Sequence, residues 1–299
     1  MTKRLVSTAR AALSALAAVL ALFMLMAPAA RAAEPVRAIT DLGNGIYRFQ
    51  NDTHYSVFIV GKQGILMTDP INADAARWLR AEIDRRFGKL PVEYLVYSHN
   101  HGDHVFGGEV WKGVGTRVIA QRKAAADLRR NHAPTAQPDL TFGNRLQLEF
   151  EGRAIELRYH GPNNGAGSIS MYVPDAKFLF VVDWIVLKRL PWMELYYYDL
   201  DGMIDSLHEA LALDFTLVAP GHGAVGGKAE VREFLAYLED LRGAVLDGMN
   251  AGKSLAQLQQ EIRLDKYAGY AKYREWLPLN IKGAYEQLAR TSGRFGQEK

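Results

Sequence analysis

The stretch SHNHGDH, at residues 98–104, places three imidazoles and one carboxylate directly after an apolar run that predicts a β-strand. Imidazole and carboxylate groups are the ligand types that suit zinc and similar divalent ions. Alternate residues of extended backbone share one face, so His99 and His101 can bind one ion together. A glycine then allows a tight turn, which leaves Asp103 and His104 to face a second ion. A solvated loop with accidental histidines is the alternative, and four ligand-type residues in so short a stretch argue against it.

Length and composition describe an ordinary globular protein without cysteine. The chain has 299 residues, of which 48% are hydrophobic and 23% are charged, enough for one large or two small domains. No cysteine is present, so a cysteine nucleophile and a cysteine-ligated zinc site are excluded. An exported protein of this composition relies on its core rather than on disulfides.

Residues 1–32 have the pattern of a signal peptide. Basic residues come first, an apolar run follows at 11–26, and the small-x-small sequence at 30–32 fits a signal-peptidase site. An uncleaved membrane anchor is the alternative, because the apolar run approaches spanning length. The cleavage-site pattern favours a periplasmic or secreted protein that has a single mature domain at 33–299 and no stable membrane contact.

The basic balance of the chain comes from the same segment. Residues 1–32 hold four cations and no acid, so the formal net charge of +3 becomes +3 − 4 = −1 after cleavage. A mature chain this close to neutral predicts no nucleic-acid partner.

The hydrophobic pattern predicts strands interleaved with helices, which indicates an α/β protein. A helix is predicted at 73–87, where apolar residues recur every four positions after Asn72, a typical helix cap. A second helix is predicted at 202–213, and the chain from Lys228 onward is mostly helical. The predicted strands are residues 46–50, 55–60, 64–68, 92–97, 146–150, 154–159, 169–173, 178–182 and 216–219.

Three later segments place polar residues at the ends of apolar strands, where sites of α/β proteins lie. Asp183 ends the strand at 178–182, and a buried carboxylate needs a partner such as a metal ion; a cap for the next segment is the alternative. His222 lies between glycines that let ligands approach closely, with a surface loop as the alternative. The glycine-rich turn at 160–168 suits the floor of a site or, equally, an ordinary connection.

Together these motifs resemble the metallo-β-lactamase superfamily. The pattern His-x-His-x-Asp-His at residues 99–104 is highly specific to that family, and Asp183 and His222 match its later ligand motifs in order and approximate spacing. Asp69 matches its early strand-end aspartate, which supports the ligands from behind. The resemblance spans roughly residues 46–223 and implies a four-layer αβ/βα sandwich, with the site at one edge between the sheets.

The resemblance also implies two adjacent metal sites. The implied ligands are His99 and His101 at the first ion, Asp103, His104 and His222 at the second, and Asp183 between the two. A bridging water, acidified by both cations, becomes hydroxide and attacks a carbonyl or ester carbon, and Asp103 is the implied catalytic residue that orients it. Zinc, as one or two ions, is the expected cofactor, with Mn²⁺ or Fe²⁺ as alternatives.

The chain departs from the family at the turn that usually carries a third histidine for the first ion. Aligning residues 161–168 with that turn places Asn164 at the histidine position. An amide oxygen is a weaker and harder ligand than imidazole, so three outcomes are open. The first site binds its ion weakly and the protein works with one metal, Asn164 is itself a ligand, or His160 replaces the missing histidine as a ligand. We expect fewer than two metal ions per chain after dialysis.

Other segments leave their roles open. The aromatic residues Trp184, Trp192 and 196–198 either form an apolar substrate wall or anchor the core. His54 lies in a turn before a strand, from which it can face the site, but a surface position is favoured. The C-terminal helices, with Trp276, either cover the cleft or form a homodimer interface.

These observations predict an exported metal-dependent hydrolase that acts on a small-molecule ester, amide, lactone or lactam. A β-lactam is one candidate substrate, since export brings an enzyme to where such compounds arrive. The alternative is a non-catalytic or accessory metal-binding protein that retains the fold, and the amide at Asn164 is its main support.

Overall fold

A computed structural model describes residues 34–291. The signal peptide predicted for residues 1–32 lies outside this range. Within the described part of the chain, no helix combines the length and the apolar character needed to cross a membrane.

The first sheet has seven strands whose order in space follows their order in sequence. Strands β1 to β4 are antiparallel neighbours, and β4 to β7 run parallel. Its strands are β1 (Arg37–Asp41), β2 (Ile46–Asn51), β3 (His54–Val60), β4 (Ile65–Thr68), β5 (Val92–Val96), β6 (Arg117–Gln121) and β7 (Leu140–Phe142).

The second sheet has five strands in the order β12-β11-β10-β9-β8. All pairs are antiparallel except β11 with β12, which are parallel because a helix connects them. Its strands are β8 (Arg145–Phe150), β9 (Arg153–Tyr159), β10 (Ile169–Val173), β11 (Phe178–Val181) and β12 (Leu217–Pro220).

Helices cover the outer face of each sheet. The short helix α2 carries part of the SHNHGDH stretch, and the long helices α5 and α7 lie in the C-terminal part. The helices are α1 (Ala73–Phe87), α2 (Gly102–Val105), α3 (Arg122–Arg130), α4 (Leu200–Leu211), α5 (Lys228–Asn250), α6 (Leu255–Glu261) and α7 (Tyr273–Thr291).

Three apolar cores separate these layers. The central core joins the facing sides of the two sheets, with Val57 from one sheet and Met171 from the other. A second core packs α1 and α3 on the first sheet. A third packs α4 to α7 on the second sheet, with Phe234 and Ile281 fully buried. This arrangement is the predicted αβ/βα four-layer sandwich.

The elements that were predicted have the expected boundaries to within about two residues, whereas the strands β1, β6 and β7 and the helices α2 and α3 were not predicted. Helix α1 has the predicted bounds, and the Asn72 side chain accepts hydrogen bonds from the backbone N–H groups of Asp74 and Ala75. Helix α4 starts two residues earlier than predicted, because Asp199 caps it by accepting a hydrogen bond from the Gly202 N–H.

Candidate metal centre

Four segments of the chain bring the predicted ligands, together with His54, to one edge of the sandwich. His54 begins β3, and residues 99–104 follow β5 of the same sheet. Asp183 follows β11, and His222 follows β12 of the second sheet. Ends of neighbouring strands lie together at a sheet edge, so side chains that are far apart in sequence meet here.

The first cluster consists of His99, His101 and Asp183, whose ligand-type atoms all lie within 4.8 Å of one another. Asp183 Oδ2 lies 3.3 Å from His99 Nε2 and 3.2 Å from His101 Nδ1. His99 is fully buried, and its Nδ1 lies 2.7 Å from Ser98 Oγ. That contact orients the ring so that Nε2 faces the cluster.

The second cluster consists of His54, Asp103, His104 and His222, within the same 4.8 Å limit. The Nε2 atoms of His104 and His222 are 3.2 Å apart. His54 Nε2 lies 3.2 Å from Asp103 Oδ2. His222 Nδ1 donates a hydrogen bond to the carbonyl of Thr53 over 2.8 Å, so its Nε2 carries the lone pair that a metal ion needs.

Asp183 joins the two clusters through opposite oxygens. Its Oδ2 faces His99 and His101, while its Oδ1 lies 3.3 Å from His104 Nε2 and 3.2 Å from His222 Nε2. The backbone of Asp183 has φ of 67°, in the left-handed region that non-glycine residues rarely adopt. This strained conformation at the end of β11 directs the carboxylate between the four imidazoles.

The charge of the buried Asp183 carboxylate stabilises positive charge at the centre. Burial opposes ionisation of Asp183, but the charge of His104 and hydrogen bonds from the surrounding imidazoles outweigh it and hold the pKa of Asp183 well below its ordinary value. Burial opposes protonation of His104 as well, and the charge of Asp183 overcomes it, raising the pKa of His104 to about 9. Burial lowers the pKa of His99 to about 4.

The donor set fits divalent metal ions. Buried atoms without a hydrogen-bond partner include Nε2 of His99, Nε2 of His101 and Oδ1 of Asn164, an arrangement that is costly unless an ion binds them. The donor separations of 3.2–3.3 Å around Asp183 match the roughly 3.3 Å edge of a tetrahedral zinc site with bonds of about 2.0–2.1 Å. Imidazole and carboxylate are also the ligands that such ions prefer.

Further residues hold the ligand loops in place. Asp69 is buried and accepts a 2.8 Å hydrogen bond from the Ser98 N–H, next to His99, and burial raises the pKa of this carboxyl to about 6. The guanidinium of Arg48 donates hydrogen bonds of 2.7 Å to the carbonyls of Pro220 and Gly223, on either side of His222. Burial lowers the pKa of Arg48 to about 10. Both groups therefore orient the loops that carry the two clusters.

Comparison with known proteins identifies the family. The model of the metallo-beta-lactamase superfamily matches residues 51–222, which is more than half of the chain and includes all the residues of both clusters. The chain belongs to the metallo-β-lactamase superfamily. Membership, together with the His/Asp clusters, supports a metal-dependent hydrolase that binds a divalent ion, as predicted at that level.

Relatives within the superfamily have diverse names. The chain is 24% identical over 251 residues to the alpha subunit of 2,4-dinitroanisole O-demethylase from Nocardioides sp. (strain JS1661), covering 80% of this chain and 69% of the relative. It is 22% identical over 286 residues to a linear primary-alkylsulfatase from Pseudomonas sp. (strain ATCC 19151), covering 77% of this chain and 54% of that one. A metallo-beta-lactamase structure from Pontibacter korlensis, 20% identical, has a TM-score of 0.61 and covers 68% of this chain and 99% of that chain. The curated relatives are therefore matched over about half to two thirds of their length.

The turn that carries Asn164 lies against the first cluster. A Cβ atom at Gly165 would lie 2.9 Å from His101 Nε2 and 3.2 Å from His99 Cδ2, so a larger residue there would press on the imidazoles of the first cluster. Asn164 is buried, and its Oδ1 has no hydrogen-bond partner. His160, in contrast, lies outside both clusters: its ring nitrogens are 2.9 Å from Glu209 Oε2 and 2.8 Å from Ser170 Oγ.

The aromatic residues after β11 divide between the two predicted roles. Trp184 is fully buried, and its ring centroid lies 5.3 Å from that of His160. Tyr197 is 65% exposed, and its ring centroid lies 4.9 Å from that of His101. Trp192 is 44% exposed and packs on Trp276 of α7. Trp184 therefore belongs to the core, while Tyr197 borders the metal centre.

The structure brings the predicted ligands together and adds one. The turn that carries Asn164 lies beside the first cluster. The six predicted ligands that form the two clusters are His99, His101, Asp103, His104, Asp183 and His222. The surface position favoured for His54 is wrong and the alternative, that it faces the site, is correct, because its imidazole belongs to the second cluster. Its sequence position, 45 residues before His99, carries no motif, and only the pairing of β2 with β3 reveals its place.

Proposed function

We propose that the protein is an exported hydrolase that uses one or two zinc ions to cleave a small ester, amide, lactone or lactam. One observation carries the proposal: the two oxygens of Asp183 face two separate histidine clusters, at 3.2–3.3 Å from each of four imidazoles. Export rests on the composition of residues 1–32. A divalent ion bound here supplies Lewis-acid chemistry and lowers the pKa of water to about 7.

Asp103 is the residue that we assign to proton handling and orientation. Its side chain is 56% exposed, while the other carboxylate of the centre is buried. His54 and His104 flank its Oδ2 at 3.2 and 3.9 Å. Against the opposing effect of burial, the hydrogen bond from His54 and the charge of His104 lower the pKa of Asp103. Asp103 is therefore ionised at neutral pH and accepts a hydrogen bond on the side that substrate approaches.

The substrate that we propose carries an apolar group next to the bond that is cleaved. A cleft of about 570 Å³ opens beside the second cluster, with His54, Asp103 and Phe106 in its wall. Tyr197 stands exposed beside the first cluster. Aromatic walls on both sides of a polar centre favour a small molecule with an aryl or alkyl substituent. The names of the similar O-demethylase and alkylsulfatase are consistent with such a group.

A substrate panel tests the proposal. The zinc- and manganese-loaded protein is assayed with an aryl ester, a lactone, a β-lactam, a thioester, an aryl methyl ether and an alkyl sulfate. We expect turnover of at least one of the aryl ester, the lactone, the thioester and the β-lactam, and a loss of about 100-fold or more in kcat/KM for Asp183→Asn, because metal-ion catalysis supplies several kcal/mol. His208→Gln, on the exposed side of α4, is the matched control.

Two results would contradict the proposal. If no member of the panel is turned over by protein that binds metal, the accessory metal-binding function is favoured instead. If Asp183→Asn retains full activity, the reaction does not depend on the centre described above.

A further inference from the structure

His54 occupies a position that the superfamily motif on this chain does not explain. The motif supplies Asp103, His104 and His222, and His54 lies 49 residues before Asp103. Its ring centroid is 4.7 Å from that of His222 and 5.5 Å from that of His104. The second cluster therefore contains one imidazole more than the motif provides.

We propose that His54 is a direct ligand of the ion held by Asp103, His104 and His222. The inference rests on the proposed function, since it requires that an ion binds there. It assigns the ligating atom as Nε2, which lies 3.2 Å from Asp103 Oδ2 and within 4.8 Å of the ligand atoms of the two histidines. A separation of 3.2 Å is close to the roughly 3.3 Å expected between two donors on one zinc ion.

The backbone around His54 is rigid enough to place a ligand. His54 pairs with Asn51 across the tight β2–β3 turn, in which Asp52 adopts a φ of 55°. The Asp52 N–H donates to the carbonyl of Val36 over 2.7 Å, and the Val36 N–H donates to Asp52 Oδ1 over 2.8 Å. Preorganised ligands bind ions more tightly than mobile ones, because less conformational entropy is lost on binding.

The same turn also holds a second ligand. Thr53, next to His54, accepts the hydrogen bond from His222 Nδ1, and the Tyr55 N–H donates to the carbonyl of Gly221 over 2.9 Å. His54 and His222 are therefore fixed relative to each other by direct contacts between the β2–β3 turn and the β12 loop. A single rigid unit thus presents both imidazoles to the second cluster.

His54 also makes the second cluster the one with the higher expected affinity for zinc. With it, the second cluster offers three imidazoles, one of them His54, as well as Asp103 and one oxygen of Asp183. The first cluster offers two imidazoles and the other oxygen of Asp183, beside the amide of Asn164. Zinc prefers imidazole to amide oxygen. The first equivalent of zinc therefore binds at the second cluster.

Zinc affinity and ligand counting test this assignment in the full-length protein. We expect His54→Gln to raise the Kd for the first zinc ion by more than about 100-fold, beyond the 10–100-fold typical of a residue that only supports a ligand. The Kd is measured by competition with a chromophoric chelator. His208→Gln is the matched control, because this histidine is exposed on α4, away from the centre.

X-ray absorption at one equivalent of zinc provides a measurement that does not depend on a variant. We expect three imidazoles around the ion in the unmodified protein and two in His54→Gln. Two imidazoles in the unmodified protein would overturn the assignment, as would an unchanged count and a Kd within about threefold in the variant. The count also separates a ligand from a residue that only orients Asp103 by a hydrogen bond.

A third variant separates failure of this inference from failure of the proposed function. If His104→Gln loses zinc while His54→Gln retains it, the second cluster binds metal without His54, and only the present assignment is wrong. If both variants retain zinc as tightly as the unmodified protein, the metal centre itself is wrongly placed, and the proposed function fails as well.

Discussion

Asn164 is the residue at which the chemistry of this centre departs most from the superfamily pattern. Its amide oxygen is buried without a partner, and the following residue, Gly165, packs against His99 and His101. Leaving a buried acceptor without a hydrogen bond lowers the free energy of unfolding by about 1–3 kcal/mol. A bound ion would give the Asn164 oxygen the partner that it lacks. The amide is nevertheless a poor substitute for imidazole toward zinc.

The first prediction is that Asn164→His increases the metal content of the protein. The unmodified chain should retain fewer than two zinc ions after dialysis, and the variant should gain about one, because imidazole is the ligand that zinc prefers there. Mass spectrometry of the dialysed proteins measures the stoichiometry. Asn163→His, one position away and hydrogen-bonded to Ser206, is the control and should gain none. Two tightly held ions in the unmodified protein would refute the prediction.

The second prediction concerns pH and His160, which is buried between β9 and α4. Burial lowers the pKa of His160 despite the opposing effect of Glu209, so the folded protein keeps the ring neutral at a pH where the unfolded chain protonates it. The stability that follows is present above pH 6.5, the ordinary value, and is lost as the pH falls below it.

Urea unfolding at pH 7.5 and pH 5.5 measures this effect. The unmodified protein should lose more stability on acidification than His160→Gln, which has no proton to bind at that position. Loss of metal at low pH affects both proteins equally and cancels in the comparison. Parallel losses in the two proteins would show that His160 does not contribute to the pH dependence.

The sequence predicts candidate ligands where they form a local motif. It does not predict a residue that reaches the metal centre only through tertiary contacts. His99, His101, Asp103 and His104 lie within one short stretch, and their spacing predicts that the first two share one ion and the last two face a second, which is how the two clusters divide them. His54 has no such neighbours in sequence. Its place depends on the register of β2 and β3 and on the contact of Thr53 with His222, neither of which a local pattern contains.

At the scale of elements, the start of helix α4 supports the turn that carries Asn164. The carbonyl of Pro162 packs against Gly202, where a Cβ atom would lie 1.8 Å from the carbonyl oxygen. The Asp199 N–H also donates to the carbonyl of Asn163 over 2.8 Å. The position of the turn beside the first cluster therefore depends on a glycine in the first turn of a helix.

The third prediction follows from this contact. Gly202→Ala should lower the free energy of unfolding by about 1–3 kcal/mol, as overpacking does, although alanine is the better helix former. Gly243→Ala, in α5, is the matched control, since nothing lies within 4 Å of the new Cβ atom, and it should raise stability by up to about 1 kcal/mol. Urea denaturation measures both. If Gly202→Ala instead raised the free energy of unfolding, the turn at residues 161–168 would be able to move away from the new methyl group without loss of stability.

Elements with a strong local sequence signal were predicted, and elements whose start or pairing depends on tertiary contacts were predicted less well or not at all. Helix α1 has both a periodic apolar face and a capping asparagine, and its bounds were predicted correctly. Helix α4 begins earlier than predicted because its cap, Asp199, lies in a loop that packs on Asn163. The strands β1, β6 and β7 and the helices α2 and α3 were not predicted, and β7, with only three residues, is too short to show an alternating pattern.

At the scale of the whole molecule, the metal centre joins the two sheets. His54 begins β3 and His104 lies in α2 after β5, both on the side of the first sheet, while Asp183 and His222 follow strands of the second. Four imidazoles and a buried carboxylate from the two sheets face one another there. An ion bound in the second cluster links His54 and His104 of the first sheet to Asp183 and His222 of the second, so its binding free energy adds to the stability of the entire fold.

The last prediction is that zinc stabilises the protein against heat through this link. At a free zinc concentration about 1,000 times the Kd, binding contributes about 4 kcal/mol, and about 2–4 °C per kcal/mol for a chain of this size gives a rise in Tm of about 8–16 °C. Calorimetry of chelator-treated and zinc-loaded protein measures the shift. His104→Gln removes a fully buried ligand and should abolish most of the rise, whereas His208→Gln should preserve it. An equal rise in both variants would mean that zinc stabilises the fold from some other place, because only one of them alters a ligand that links the sheets.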